Sequence, residues 1–476
     1  MNSILVGLFL YLIVVLVIGL KTAGRNKTHV DYLLADRKLG PVTIALSERA
    51  SGESAWLLIG LPGAALAVGF LEIWTVVGCL SGIIFSWLFI AVPLRNLAGK
   101  YNSLTLPDLI ANHFKDGGKS IRIISSLIIT FFFTFYVAAQ FNGAGKVLNV
   151  TFGISHLNGM LIGAGIILLY TILGGFYAVV WTDVVQAIIM FSTLVILPIA
   201  GVIELLSTDT THLNELSPAL LSFTGGKTGI VAFLAILGGL SWGFGYTGQP
   251  HLLARFLAIR DSSEIKKGRI IAFSWAIPAF FGAFFMGVVG IALFGKGQFS
   301  DPESIMPFMA THLMPGYLAG ILISGAMAAM MSTADSQLLV TASAITEDLF
   351  HKVGKKEFTP EKLLLVSRIA TIVVGITAFI LAYTSTGLVF SLVSYAWSGL
   401  GASFGPVLLC IIYWKKITRE AAISGMLTGA LTTIIWKNIP TLQNLISERF
   451  SSYILAFFVI ITVSLLTQRK KPAAFS

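Results

Sequence analysis

The chain has 476 residues, 56% of them hydrophobic and 11% charged, with a mean hydropathy of +0.86. That composition excludes a soluble globular domain, whose surface needs far more polar groups. The formal net charge of +10 raises nucleic-acid binding as a class, but the placement of the basic residues, described below, removes it. Apolar runs at 4–20, 123–139 and 160–173 approach the roughly 20 residues that a helix needs to cross a bilayer. The chain therefore reads as an all-α polytopic membrane protein.

Taken in order, the predicted spans are thirteen: 3–20, 39–66, 71–94, 121–145, 159–178, 182–204, 228–254, 270–294, 317–345, 363–383, 387–412, 419–436 and 452–468. The first has no basic residue before its apolar run and a basic cluster after it, so it reads as a retained helix with its N-terminus outside. Loops on the other side then carry Lys21, Arg25, Lys27, Arg37 and Lys38, followed by Arg95, Lys100, Lys115, Lys119 and Arg122. Next come Arg255, Arg260, Lys266, Lys267 and Arg269, then Lys352, Lys355, Lys356, Lys362 and Arg368. Lys415, Lys416, Arg419, Arg469, Lys470 and Lys471 complete that side. Only Lys146, Lys227, Lys296, Lys437 and Arg449 fall outside, and Arg49 lies within a span. This alternation follows the positive-inside rule and places the C-terminus in the cytoplasm. The basicity is topological.

The whole chain, 1–476, reads as one membrane domain. A peripheral first helix and loop (1–38) precede two five-helix repeats (39–204 and 205–412), and two peripheral helices follow (413–476). Cys79 and Cys410 both fall in predicted spans and imply no disulfide framework.

Two spans do not look ordinary. The second reads "ASGESAWLLIGLPG", with Gly52, Gly60, Pro62 and Gly63, and has Glu48, Arg49 and Glu53 at its start. The seventh reads "LGGLSWGFGYTGQPHLLARF", with five glycines and Pro250. They lie five spans apart, so they hold matching places in two halves of opposite orientation. Gly/Pro-interrupted spans in inverted halves point to the midplane site of a secondary transporter, where the freed backbone groups line a cavity. Close packing of small residues is the plainer explanation for either span alone.

The ninth span contains "SGAMAAMMSTADSQLLV". Ala329, Ser332, Thr333 and Ser336 share one helical face, and hydroxyls beside a broken helix suit a hard cation. Hydroxyls in membrane helices also bond back to their own helix. Asp335, in mid-span, is costly in lipid at about 2.5–3.5 kcal/mol on the insertion scale, and so calls for a cavity, a partner or an ion. Asp183, in "WTDVVQ", is read as opening the sixth span, where the helix dipole favours an acid.

These residues carry a resemblance. The segments "LLIGLPGA", "TLPDLI", "GGFYAVVWTDVVQ", "WGFGYTGQPHLLARF", "MSTADSQLLV" and "TEDLF" span nearly the whole chain. In that order they resemble the sodium/solute symporter family, and within it the bacterial sodium/proline symporters. The resemblance implies a leucine-transporter-like five-plus-five inverted repeat built from the second to eleventh spans, in a bacterial plasma membrane. It implies a sodium site made by the carbonyls of Ala50, Glu53 and Ala329 and the hydroxyls of Ser332 and Thr333. A second cation site would fall on Asp183, Ser332, Asp335 and Ser336, and the substrate against Ser54, Ala55, Trp242, Tyr246 and Pro250; the Glu53 side chain, at the break, is expected to face the same substrate cavity. The chain departs from proline symporters where they read "ASDMSGW" and it reads "ASGESAW". The aspartate falls on Gly52, and a carboxylate appears one residue later at Glu53.

The expected function is sodium-driven import of proline or a related amino acid, with sodium as coupling ion, no other cofactor and no obligatory protein partner. The alternatives are symport of an organic cation, a carboxylate or a sugar, with protons contributing through Glu53 or Asp335, or a non-transporting solute sensor. An enzyme is not expected. The seven histidines form no HExxH spacing and most read as loop or interface residues, and no Gly-rich phosphate loop occurs.

Overall fold

The computed structural model describes residues 2–23, 34–114, 118–208, 212–213, 216–354, 359–385 and 387–468. Arg25, Lys27, Lys115, Lys355, Lys356, Arg469, Lys470 and Lys471, assigned above to the basic loops, lie outside the described residues. The first half of the chain forms α1 (Asn2–Ala23), α2 (Pro41–Gly52), α3 (Leu61–Val68), α4 (Ile73–Phe85), α5 (Ala91–Tyr101), α6 (Leu106–His113), α7 (Lys119–Phe152) and α8 (His156–Ser207). Then come α9 (Pro218–Leu221), α10 (Gly229–Leu240), α11 (Trp242–Gly245), α12 (Pro250–Ala258), α13 (Ile265–Phe294), α14 (Ile305–Leu313) and α15 (Gly316–Ser343). The chain ends with α16 (Pro360–Thr384), α17 (Val389–Tyr413), α18 (Arg419–Asn438), α19 (Pro440–Leu445) and α20 (Glu448–Thr467). Among the described residues there is no strand beyond an isolated bridge between Leu39 and Ile259.

Nine helical stretches among the described residues are long and apolar enough to cross a membrane, with two shorter apolar helices at Ser3–Gly19 and His156–Leu169. Their outward faces are apolar, as at Leu127, Ile188, Ile203, Ile376 and Phe458. This inversion of a soluble surface is what lipid requires. The centre is α15, in which residues 322–339 are all buried. It packs on α1, α7 and α8, and on the α2 half of the second span.

Both expected interruptions are present. α2 ends at Gly52, and Glu53 leaves helical geometry at φ −108°, ψ 65°. The chain re-enters through a wide turn over Trp56–Gly60, and Pro62 sits in the first turn of α3, where its missing N–H costs nothing. In the seventh span, residues 241–248 tighten into i→i+3 bonds, including Tyr246 N to Gly243 O at 3.3 Å and Gly248 N to Gly245 O at 3.0 Å. Pro250 then opens α12. A Cβ on Gly245 would stand 1.8 Å from Trp397 Nε1, so only glycine allows that approach.

One boundary is corrected. The fifth and sixth spans part at Gly175 (φ 61°, ψ 178°) and not between residues 178 and 182. Only a residue without Cβ adopts that conformation cheaply. Asp183 therefore lies about two turns inside its helix, beyond the reach of the terminal dipole. Its presence there needs another cause.

Candidate functional site

At the first break, Ser332 Oγ on α15 lies 2.9 Å from the carbonyl oxygen of Ala50 and 3.1 Å from that of Ala329. One turn-neighbour on, Thr333 Oγ1 donates to the carbonyl of Ser51 at 3.0 Å. The carbonyls at the end of α2 are orphans of the helix, because the residues that would bond them lie past the interruption. They turn instead to hydroxyls on a neighbouring helix. Ala50, Ala329 and Ser332 thus come together, and Thr333 reaches the same helix end through Ser51. All of these side chains are buried.

Below this cage lies a charged cluster. Asp183 Oδ2 accepts from Ser47 Oγ at 2.6 Å and from Ser51 Oγ at 3.1 Å. Arg255, from α12, reaches the same carboxylate oxygen at 3.1 Å, Ser51 Oγ at 2.7 Å and Ser336 Oγ at 2.5 Å. Ser336 in turn donates to Asp335 Oδ1 at 3.2 Å. Asp183, Asp335 and Ser336 are therefore brought together with a guanidinium among them. Asp183 Oδ1 and Asp335 Oδ2 are buried and make no hydrogen bond among the described residues. Arg255 is fully buried, which corrects its placement in a basic loop. A buried guanidinium persists only where carboxylates and hydroxyls take its donors, and this cluster supplies both.

The third group explains the charges of "SERASGESAW". Arg49 donates to Glu48 through Nε at 2.7 Å and through Nη2, and to Glu53 Oε1 through Nη1 at 2.7 Å. Tyr246 OH donates to Glu53 at 3.1 Å, and Trp87 Nε1 to Glu48 at 3.0 Å. Every member is buried. Glu53 thus touches Tyr246 of the second broken span, across the two halves.

Aromatic rings close the space above. Trp56 and Trp242 stack with centroids 4.8 Å apart, and Tyr246 meets Trp397 edge-on at 4.7 Å. Trp397 Nε1 donates to the Trp242 carbonyl at 3.0 Å. Ser54 Oγ lies 3.4 Å from Tyr136 OH, and Ala55 N donates to Gln140 Oε1 at 3.0 Å. Glu53, Ser54, Ala55, Trp242 and Tyr246 are thus gathered at one level of the protein. Pro250 lines a narrow apolar cavity of about 30 Å³ with Phe176, Ala254 and Leu339.

Arg255, Ser47, Ser51, Tyr136, Gln140 and Trp397 were not anticipated at the site. Arg255 had a signal. It stands at i+4 from His251 within "PHLLARF", an apolar helical stretch in which a lone arginine needs a partner. His251, in the same span, is also fully buried, against Phe133 and Tyr136.

The sodium:solute symporter family model matches residues 32–429. The chain belongs to the sodium:solute symporter family. Among its relatives, the high-affinity proline transporter PutP of Bacillus subtilis is 38% identical over 463 residues, covering 96% of this chain and 97% of the relative. The sodium/proline symporter of Escherichia coli is 38% identical over 482 residues, covering 99% and 94%. Among solved structures, a Na+-coupled sialic acid symporter in a substrate-bound outward-open state aligns over 98% of this symporter and 99% of its own chain. Its TM-score is 0.78 at 19% identity, a likeness of fold alone. These relatives are named as transporters, and this family member is a multi-pass membrane transporter, not an enzyme.

Proposed function

We propose that the chain couples the entry of sodium to that of proline or a closely related amino acid, by alternating access. The membrane is a bacterial plasma membrane, crossed thirteen times, with the N-terminus outside and the C-terminus in the cytoplasm. The working core is the pair of five-helix repeats at 39–204 and 205–412. The observation that carries this reading is the meeting of Ser332 with the carbonyls of Ala50 and Ala329 at a helix interruption. Neutral oxygens converging from two elements are what a small hard cation binds. The relatives named as proline transporters supply the substrate class.

Ion binding exchanges O–H···O bonds for ion–oxygen contacts. The Ser332 hydrogen turns away, and the 2.9 Å separation from Ala50 O widens. Adjacent oxygens around a hard cation bonded at 2.3–2.6 Å sit roughly 3.3–3.7 Å apart. The shift is a fraction of an ångström, but it joins α2 to α15 through the ion. Sodium therefore biases the relative position of those elements. Glu53, held between Arg49 and Tyr246, offers a carboxylate to a substrate ammonium group beside Ser54, Ala55 and Trp242. Asp183, Ser332, Asp335 and Ser336 form a second cation site, which an ion enters by displacing Arg255 from its serines.

The test is uptake of labelled L-proline by proteoliposomes under an inward sodium gradient, an inward proton gradient or neither, beside a panel of organic cations, carboxylates and sugars. Accumulation of proline with sodium alone is expected. Proline uptake indifferent to sodium, or uptake of another panel member in its place, would overturn the reading.

A further inference from the structure

Ser51 stands at the end of α2 with its two oxygens turned to different neighbours. Its carbonyl lies in the last turn of the helix, and the N–H that a continuous helix would bring to it, that of Ala55, goes to Gln140 Oε1 at 3.0 Å. The bond it receives instead comes from Thr333 Oγ1 at 3.0 Å. Its hydroxyl belongs to the charged cluster, where Arg255 Nη2 on α12 reaches it at 2.7 Å.

One turn before Arg255, on the same face of α12, stands His251. Its carbonyl accepts from Arg255 Nη1 at 2.8 Å, so the two residues are held together. The imidazole is wholly buried, and Phe133 and Tyr136 meet it edge-on with centroids 5.3 and 6.1 Å away. The ring faces the Ser51 carbonyl, yet neither of its nitrogens closes a hydrogen bond among the described residues. Either tautomer of an imidazole carries an N–H. A buried donor left unmade is costly, so its idleness needs a reason. Two side chains of α12 thus address the same residue of α2, Arg255 at its hydroxyl and His251 at its carbonyl.

We propose that His251 is the second holder of the Ser51 carbonyl, taking it when sodium draws Thr333 away. The inference rests on the sodium site proposed above. Ser51 does not supply a carbonyl to that site, so the Thr333 hydroxyl gives up the Ser51 oxygen in order to turn its own towards the ion. Without a replacement, a carbonyl shielded from water would be left bare at the interruption, and part of the ion's binding energy would be lost to it. The His251 N–H removes that loss. The exchange moves the end of α2 from a partner on α15 to a partner on α12, so that an ion at one broken span is registered by the other. His251 is a positioning residue, acting on sodium through Ser51 and touching neither ion nor solute.

The test is the sodium dependence of the melting temperature of the purified protein, at constant ionic strength with potassium as the other cation, which needs no solute. It is read in wild type, His251→Phe, His251→Gln, Thr333→Ala and the double variant His251→Phe/Thr333→Ala. Phenylalanine keeps the aromatic contacts with Phe133 and Tyr136 and lacks the N–H, whereas glutamine keeps a donor. His251→Phe should weaken the apparent sodium affinity about tenfold, the worth of one unmade hydrogen bond, and His251→Gln should recover most of it. In the Thr333→Ala background the same substitution should add nothing, because no hydroxyl remains to surrender the carbonyl. Wild-type sodium affinity in His251→Phe, a glutamine variant no better than the phenylalanine one, or effects that multiply in the double variant would overturn the exchange. Should His251→Phe fail to insert, His251→Gln is compared with His251→Met, similar in length but without the donor, and equal sodium affinity in that pair overturns it equally. If the wild type shows no stabilisation by sodium, or Thr333→Ala behaves as wild type, the sodium site itself is wrong and the exchange falls with it.

Discussion

Replacing Arg49 by methionine keeps an unbranched, largely apolar stem and removes the one cation among Glu48, Glu53 and their neighbours. Three contacts disappear together, two of 2.7 Å and the Nη2 contact to Glu48. Trp87 and Tyr246 stay in place at 3.0 and 3.1 Å, but neutral donors do not offset a buried negative charge. Breaking a buried ion pair by deleting one partner costs about 3–5 kcal/mol, and here two buried carboxylates lose their counter-ion at once, so the upper end is expected. Where that cost appears fully in the unfolding barrier, heat inactivation at fixed temperature accelerates by roughly three to four orders of magnitude. The assay is the half-life of purified protein in detergent, read as the fraction remaining monodisperse. The triple variant Glu48→Gln/Arg49→Met/Glu53→Gln removes all three charges and should recover most of the loss, because a neutral replacement of a buried triad is near-neutral or stabilising. Wild-type lifetime in Arg49→Met, or a triple variant no better than the single one, would refute the reasoning.

Thr333→Ala should raise the sodium concentration for half-maximal uptake about tenfold, the worth of one lost oxygen contact; an unchanged sodium dependence removes Thr333 from the ion site. Glu53→Gln keeps size and hydrogen bonding, and should abolish uptake or alter its pH profile, whereas wild-type behaviour in both measurements would leave only the backbone of residue 53 in the mechanism. Lys266→Cys should react with a membrane-impermeant maleimide only after cells are permeabilised, and labelling from outside would reverse the proposed orientation.

Much of this architecture was legible because its causes are local. Gly52, Gly60 and Pro62 in one span, and the glycines before Pro250 in another, mark places where a helix cannot continue, and both interruptions occur there. The face shared by Ala329, Ser332 and Thr333 follows from helical periodicity, and that face meets the end of α2. The boundary at Gly175 was missed because hydropathy runs on through Phe176 to Val180, so that the first polar residues, Thr182 and Asp183, took the place of the true break. Arg255 was missed for a different reason. It stands beside a basic loop in the sequence, and its partner Asp183 lies in another helix. A contact between distant helices leaves no periodic trace.

The two buried arginines also differ in how they reach the interior. Arg49 has both its carboxylates on the same short stretch of chain, so α2 leaves the ribosome and enters the bilayer already close to charge balance. Arg255 has none within a turn of it, and a buried arginine without a partner is costly. Its partners Ser47, Ser51 and Asp183 are all synthesised earlier, and Ser336 later. Charge balance at Asp183 therefore depends on α12 docking against elements of the N-terminal half. Docking of α12 is in that sense a neutralisation step, and a product truncated before it would hold Asp183 without its counter-ion.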